Sequence, residues 1–96
     1  MKWHDWYKWY LLGPRWAQIR QRVMNRDEGY CVLCDSAADC VHHRSYGILV
    51  LEGYDDDELF SLCNECHDAI HINNTGGKRT SAQARSVLDE ALKSRA

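Results

Sequence analysis

Proline and phenylalanine occur once each in this 96-residue chain, and no apolar stretch approaches the roughly eighteen residues needed to cross a bilayer. A transmembrane span is therefore not expected. The scarcity of proline and the ordinary 45% apolar and 27% charged fractions argue against a disordered or low-complexity chain. The opening residues Met1-Lys2-Trp3-His4-Asp5-Trp6 hold neither an apolar core segment nor a small-residue cleavage site, so no export signal is expected. Length allows one small core and no second domain-sized one. What is abundant is cysteine, five in all. A short chain this rich in cysteine needs a staple, and an odd count without an export signal favours a metal over disulfides.

The net charge of −2 conceals a separation. Residues 1–30 carry six Lys/Arg against three acids, and residues 72–96 carry five against two. Residues 31–71 hold Arg44 alone against nine acids. Two basic arms thus flank an acidic centre that favours a bound cation.

All four tryptophans, Trp3, Trp6, Trp9 and Trp16, lie in the first thirty residues. Trp6, Trp9 and Tyr10 share helical spacing, as do Trp16, Ile19 and Val23. Gly13-Pro14 marks a break, with Pro14 opening a second helix to about Asn25. Its Arg15, Arg22 and Arg26 are either solvated surface or phosphate contacts. Val41-His42-His43, Ile48-Leu49-Val50-Leu51 and Leu59-Phe60-Ser61-Leu62 read as short strands. The run Asp55-Asp56-Asp57-Glu58 reads as a solvated acidic loop. Cys63 to Ile72 reads as a helix, and Asn73 to Gly77 as a linker. Thr80 or Ser81 then caps a last helix with Ala84, Val87, Leu88, Ala91 and Leu92 along one side. Three segments follow: an aromatic, basic helical part (1–28), a central core (29–72), and a linker with a C-terminal helix (73–96).

Cys31-x2-Cys34 and Cys63-x2-Cys66, separated by twenty-eight residues, present two pairs of sulfurs. Two such pairs complete a tetrahedral, closed, structural zinc site of four thiolates. Cys40 is left over and reads as a small buried side chain. His67 and His71, four apart on a helix, point from one face and can bind one cation. His42 and His43 are adjacent on a strand and must face opposite ways. One of them can ligate a metal while the other stays free as a base.

The order CxxC, His42-His43-Arg44-Ser45-Tyr46, an acidic loop around Gly53, Glu58-Leu59, then Leu62-Cys63-x2-Cys66-His67-x3-His71 resembles the HNH endonucleases of the ββα-metal, treble-clef type. More narrowly, it resembles the small phage and bacterial members with a four-cysteine zinc. The resemblance covers about residues 7–71, and the tail lies outside it. It implies an α+β treble-clef domain, with N-terminal helices and a C-terminal helix around the zinc-bearing core. It also implies a metal-dependent DNA endonuclease leaving 5′-phosphate and 3′-hydroxyl ends. In that reading His43 is the general base, and His42, His67 and His71 hold one catalytic cation. Three imidazoles suit Mn²⁺, Ni²⁺, Co²⁺ or Zn²⁺ better than Mg²⁺. The family's bracing asparagine falls on Glu58, a departure, because a carboxylate lacks the amide donors. Arg44 is a candidate phosphate contact. DNA is the expected partner, no membrane is involved, and a homodimer or a role in phage packaging or processing is compatible. A cytoplasmic setting, in a bacterial cell, is expected. The alternative is a non-catalytic treble-clef zinc module that binds DNA or a protein.

Overall fold

The computed structural model describes residues 3–95; the side chains of Trp3 and His4 lie outside the described part. Helix α1 (Trp3–Leu12) and helix α2 (Pro14–Arg26) are separated by Gly13, as the Gly-Pro break requires. Pro14 sits at the start of α2, where its missing N–H costs no intrahelical bond. Strand β1 (Cys40–His43) pairs antiparallel with β2 (Leu59–Leu62), with His42 opposite Phe60 and His43 opposite Leu59. Helix α3 (Ile48–Leu51) and a single 3-10 turn, Asp56–Glu58, lie between the strands. Helix α4 (Asn64–His71) and helix α5 (Ser81–Arg95) complete an α+β architecture. No described helix is long and apolar enough to cross a membrane.

The two-residue period of the ribbon organises everything around it. One face carries Val41 and Leu59, which pack with Trp16, Ile19 and Val23 of α2 and with Val50. The other face carries Leu62, which packs with Cys31, Cys63, Ile70 of α4, and Ala84 and Leu88 of α5; Phe60 and Cys40 lie against this group. The C-terminal helix is therefore part of the core and no appendage. Thr80 caps it by a reciprocal pair: the Gln83 N–H donates to Thr80 Oγ1 at 3.2 Å, and the Thr80 N–H donates to Gln83 Oε1 at 2.9 Å.

Ile48–Leu51, expected as a strand, is one helical turn. The Val50 and Leu51 N–H groups both donate to the Gly47 carbonyl, at 3.0 and 3.1 Å. Val50 and Leu51 are buried while Ile48 and Leu49 are exposed, a grouping of neighbours that a turn produces and a pleated strand does not. Four apolar residues carry too little periodicity to separate the two states. Gly53, which follows, has φ +89°, and an added Cβ would lie 3.2–3.3 Å from Ile19 and Arg22. Only glycine lets this turn approach α2 so closely.

The acidic loop is not merely solvated. Arg22 grips Asp56 through two nitrogens at 2.5 and 2.8 Å and donates to the Gly53 carbonyl at 2.8 Å. Arg26 donates to the Asp56 and Leu59 carbonyls at 2.9 and 2.7 Å. Arg15 lies 3.5 Å from Glu52. The α2 arginines, open in sequence between solvated surface and phosphate contacts, thus clamp the centre of the chain.

Candidate metal centres

The first sulfur pair sits on a tight turn after α2. The Cys31 N–H donates to the Ser36 carbonyl at 2.7 Å, and the Asp35 N–H donates to the Cys31 carbonyl at 3.0 Å, with Asp35 at φ +65°. The second pair opens α4: Cys63 caps the helix, its Sγ accepting from the Cys66 N–H at 3.4 Å. The first pair makes a comparable bond, Leu33 N–H to Cys31 Sγ at 3.4 Å. All four sulfurs lie within 4.8 Å of one another, with those of Cys34 and Cys63 3.6 Å apart. Sulfurs at about 2.3 Å around a tetrahedral zinc are separated by about 3.8 Å, so the set fits such an ion.

Sulfur acidity is uneven. The Ser36 hydroxyl and N–H pull the Cys34 thiol down to about 6, and the Ser36 hydroxyl and the Cys66 N–H lower Cys63. Burial pushes Cys66 up, a penalty that a bound cation would reverse. Cys40 stays out of the set: its thiol donates to the Leu62 carbonyl at 3.5 Å, and burial raises it. Arg95, at the end of α5, donates to the Leu33 carbonyl and reaches both Asp35 oxygens at 2.8 Å. The last helix is thereby fastened to the first sulfur turn.

The second group joins β1 to α4. His42 meets His67 and His71, with ring centroids 5.4 and 5.1 Å away, and His67 and His71 are 4.5 Å apart. One nitrogen from each lies within 4.8 Å of the others. Burial, then the facing His71 and His67, push His42 down to about 4; burial lowers His67 and His71 as well. Three neutral imidazoles facing each other are the protonation state that a cation requires. The C-terminal end of α4 is anchored from outside by Arg79, whose guanidinium donates to the Ala69 and Ile70 carbonyls at 2.5 and 3.0 Å. Among the described residues these two sets, four cysteines and three histidines, are the groups able to hold a metal.

His43 faces the other way, as pleating demands, into an aromatic enclosure. It is 5% exposed. Trp16 and Tyr46 stack on its ring, at centroid distances of 4.6 and 5.2 Å. The Tyr7 hydroxyl lies 3.4 Å from its Nδ1 and the Tyr10 hydroxyl 3.4 Å from its Nε2. Burial pushes His43 down to about 4 and Tyr10 up to about 12. Its edge nevertheless reaches the same clefts as His42 and His71, one of about 240 Å³ walled by Arg44, Tyr46, Ser81 and Arg85, and one of about 290 Å³ walled by Tyr7, Leu11, Trp16 and Arg20.

Arg44, the candidate phosphate contact, is already engaged. It donates to Glu58 at 2.7 Å and to both oxygens of Asp89 on α5, at 2.8 and 3.1 Å. Its N–H also donates to the Glu58 carbonyl at 2.8 Å, continuing the ribbon by one rung. Glu58 therefore holds the residue next to His43 through both its backbone and its side chain. Sequence spacing alone does not single out Asp89, Arg85 or the aromatic lid over His43. The i, i+3 pair Tyr7 and Tyr10 is the one visible signal for the lid.

No family model, no curated protein and no solved structure matches the chain.

Proposed function

We propose that the chain is a metal-dependent DNA endonuclease of the HNH type, built as a treble clef around a structural zinc on four cysteines. One observation carries the reading: His42, His67 and His71 converge within 4.8 Å, while His43, the sequence neighbour of His42, stays outside the set and borders the same clefts. Phosphodiester hydrolysis needs both functions, a cation site and a separate base.

In this reading Cys31, Cys34, Cys63 and Cys66 fold the domain and take no part in the reaction. A divalent cation on His42, His67 and His71 would neutralise charge on the phosphate and the leaving 3′-oxygen. His43, neutral at pH 7, accepts the proton of the attacking water. Glu58 and Arg44 hold the end of β1 that carries the base, the task the family gives to asparagine. Mn²⁺, Ni²⁺, Co²⁺ and Zn²⁺ suit three imidazoles, and Mg²⁺ suits them less.

One observation favours a second reading, a non-catalytic zinc module that binds DNA or a protein: both ring nitrogens of His43 face tyrosine hydroxyls of α1. For His43 to act, α1 must move. Conversion of supercoiled plasmid, followed with each of the five metals for wild type and for His67→Ala, separates the readings. The nuclease reading expects metal-dependent nicking that falls about a hundredfold or more in the variant, as loss of a metal ligand would produce. Absence of nicking with every metal favours the module.

A further inference from the structure

Two arginines from outside the central motif border the histidine set. Arg85 of α5 walls the cleft of about 240 Å³ that also contains His42, His43 and His71. Arg20 of α2 walls the cleft of about 290 Å³ that contains His42, His43, His67 and His71. The clefts share His42, His43, Tyr46 and His71; one is bounded by α5 and the other by α1 and α2.

These two guanidiniums differ from the rest. Arg15, Arg22, Arg26, Arg44 and Arg95 each lie within 4 Å of a carboxylate, and Arg79 caps α4. Arg20 donates one nitrogen to the Asp39 carbonyl at 3.2 Å; Arg85 donates two to the Arg44 carbonyl at 3.3 and 3.2 Å. Among the described residues neither has a carboxylate partner within that distance, and both are exposed. A carbonyl fixes the direction of a guanidinium without cancelling its charge, so each keeps N–H groups and a positive charge at a cleft mouth. Asp89, one turn along α5, feels the charge of Arg85 but is gripped by Arg44. That ion pair leaves Arg85 without a carboxylate of its own.

A planar cation with spare donors recognises phosphate. We propose that Arg20 and Arg85 bind backbone phosphates of a DNA strand on either side of the one lying over His42, His67 and His71. The basic arms thus contribute one phosphate ligand each, and the strand runs from α2 to α5 across the mouth of the histidine set. Naming the central phosphate as the one cut rests on the nuclease reading; the binding track does not.

The test uses the full chain with the metal it retains on purification and a fluorescein-labelled duplex of about 20 base pairs, with anisotropy followed across a salt titration. Arg20→Ala and Arg85→Ala should each weaken binding about three- to tenfold and reduce the slope of log K against log salt by about 1, and the double variant by about 2. Arg20→Lys and Arg85→Lys should keep the slope. Lys93→Ala, at the far exposed end of α5, should move neither quantity. Both arginine side chains are exposed, and circular dichroism and bound zinc report that each variant is folded. Unchanged affinity and slope in the folded alanine variants overturn the track, as does a wild-type chain that does not bind the duplex. Binding with these slopes but no cleavage by any metal supports the track and removes the nuclease reading. Cleavage by variants whose slopes are unaltered removes the track and leaves that reading in place.

Discussion

Arg44 links three parts of the chain that sequence keeps far apart: the strand with the histidines, the turn at Glu58, and Asp89 on α5. Arg44→Ala would remove the shared partner of the partly buried Glu58 and Asp89 carboxylates, and should cost about 1–2 kcal/mol, measured by urea unfolding. The same guanidinium holds the Asp89 carboxyl below the usual range, and Arg22 does so for Asp56. An acid whose pKa is lower in the folded state stabilises the fold above its unfolded pKa of about 3.9, and that contribution disappears as pH falls through the folded value. The melting temperature should therefore drop as pH falls from about 5 towards 3. Asp89→Asn should be less stable than wild type at about pH 6 and should lose less on acidification. At Gly53, φ +89° and the contact with Ile19 make Gly53→Ala destabilising by about 1–2 kcal/mol by the same unfolding assay.

Among the elements, α5 carries the least expected role. It buries Ala84 and Leu88 against Cys63, Ile70 and Leu62, and its far end reaches the first sulfur turn. Leu88→Ala should cost about 2–4 kcal/mol in urea unfolding, as a core position and not a tail would. The amphipathic stripe of this helix is legible in the sequence because Ala84, Val87, Leu88 and Leu92 follow helical spacing. What it packs on is not, since the Arg44–Asp89 and Arg95–Asp35 pairs join residues 45 and 60 positions apart. Helix α2 is legible almost to the residue for the same reason, helped by Pro14. Helix α3 reads as a strand because a four-residue apolar run between Gly47 and Glu52 fits either state. The opposition of His42 and His43 is legible from the period of a strand alone. The lid of Tyr7 and Tyr10 over His43 is not, because helical spacing says which residues share a face but not what that face covers.

At the scale of the whole molecule, a two-stranded ribbon is too small to be stable alone, and a 96-residue chain with two modest clusters gains from a central staple. The four sulfurs stand where the turn after α2, the start of α4 and the end of α5 meet. With zinc on these sulfurs as proposed, a strong chelator should abolish the cooperative thermal transition, and circular dichroism should show it return on adding zinc. His67 and His71 are only partly buried, unlike His42, so a change at His67 should leave the fold intact: His67→Ala should keep its transition within a few degrees of wild type.

The measurement that bears most directly on the account is the nicking of supercoiled plasmid by wild type and by His43→Ala, at equal bound zinc per chain and with the best supporting metal. The account predicts that nicking falls by about a hundredfold or more, the usual weight of a general base, while duplex binding and zinc content stay as they were. Equal nicking by the two proteins would contradict it.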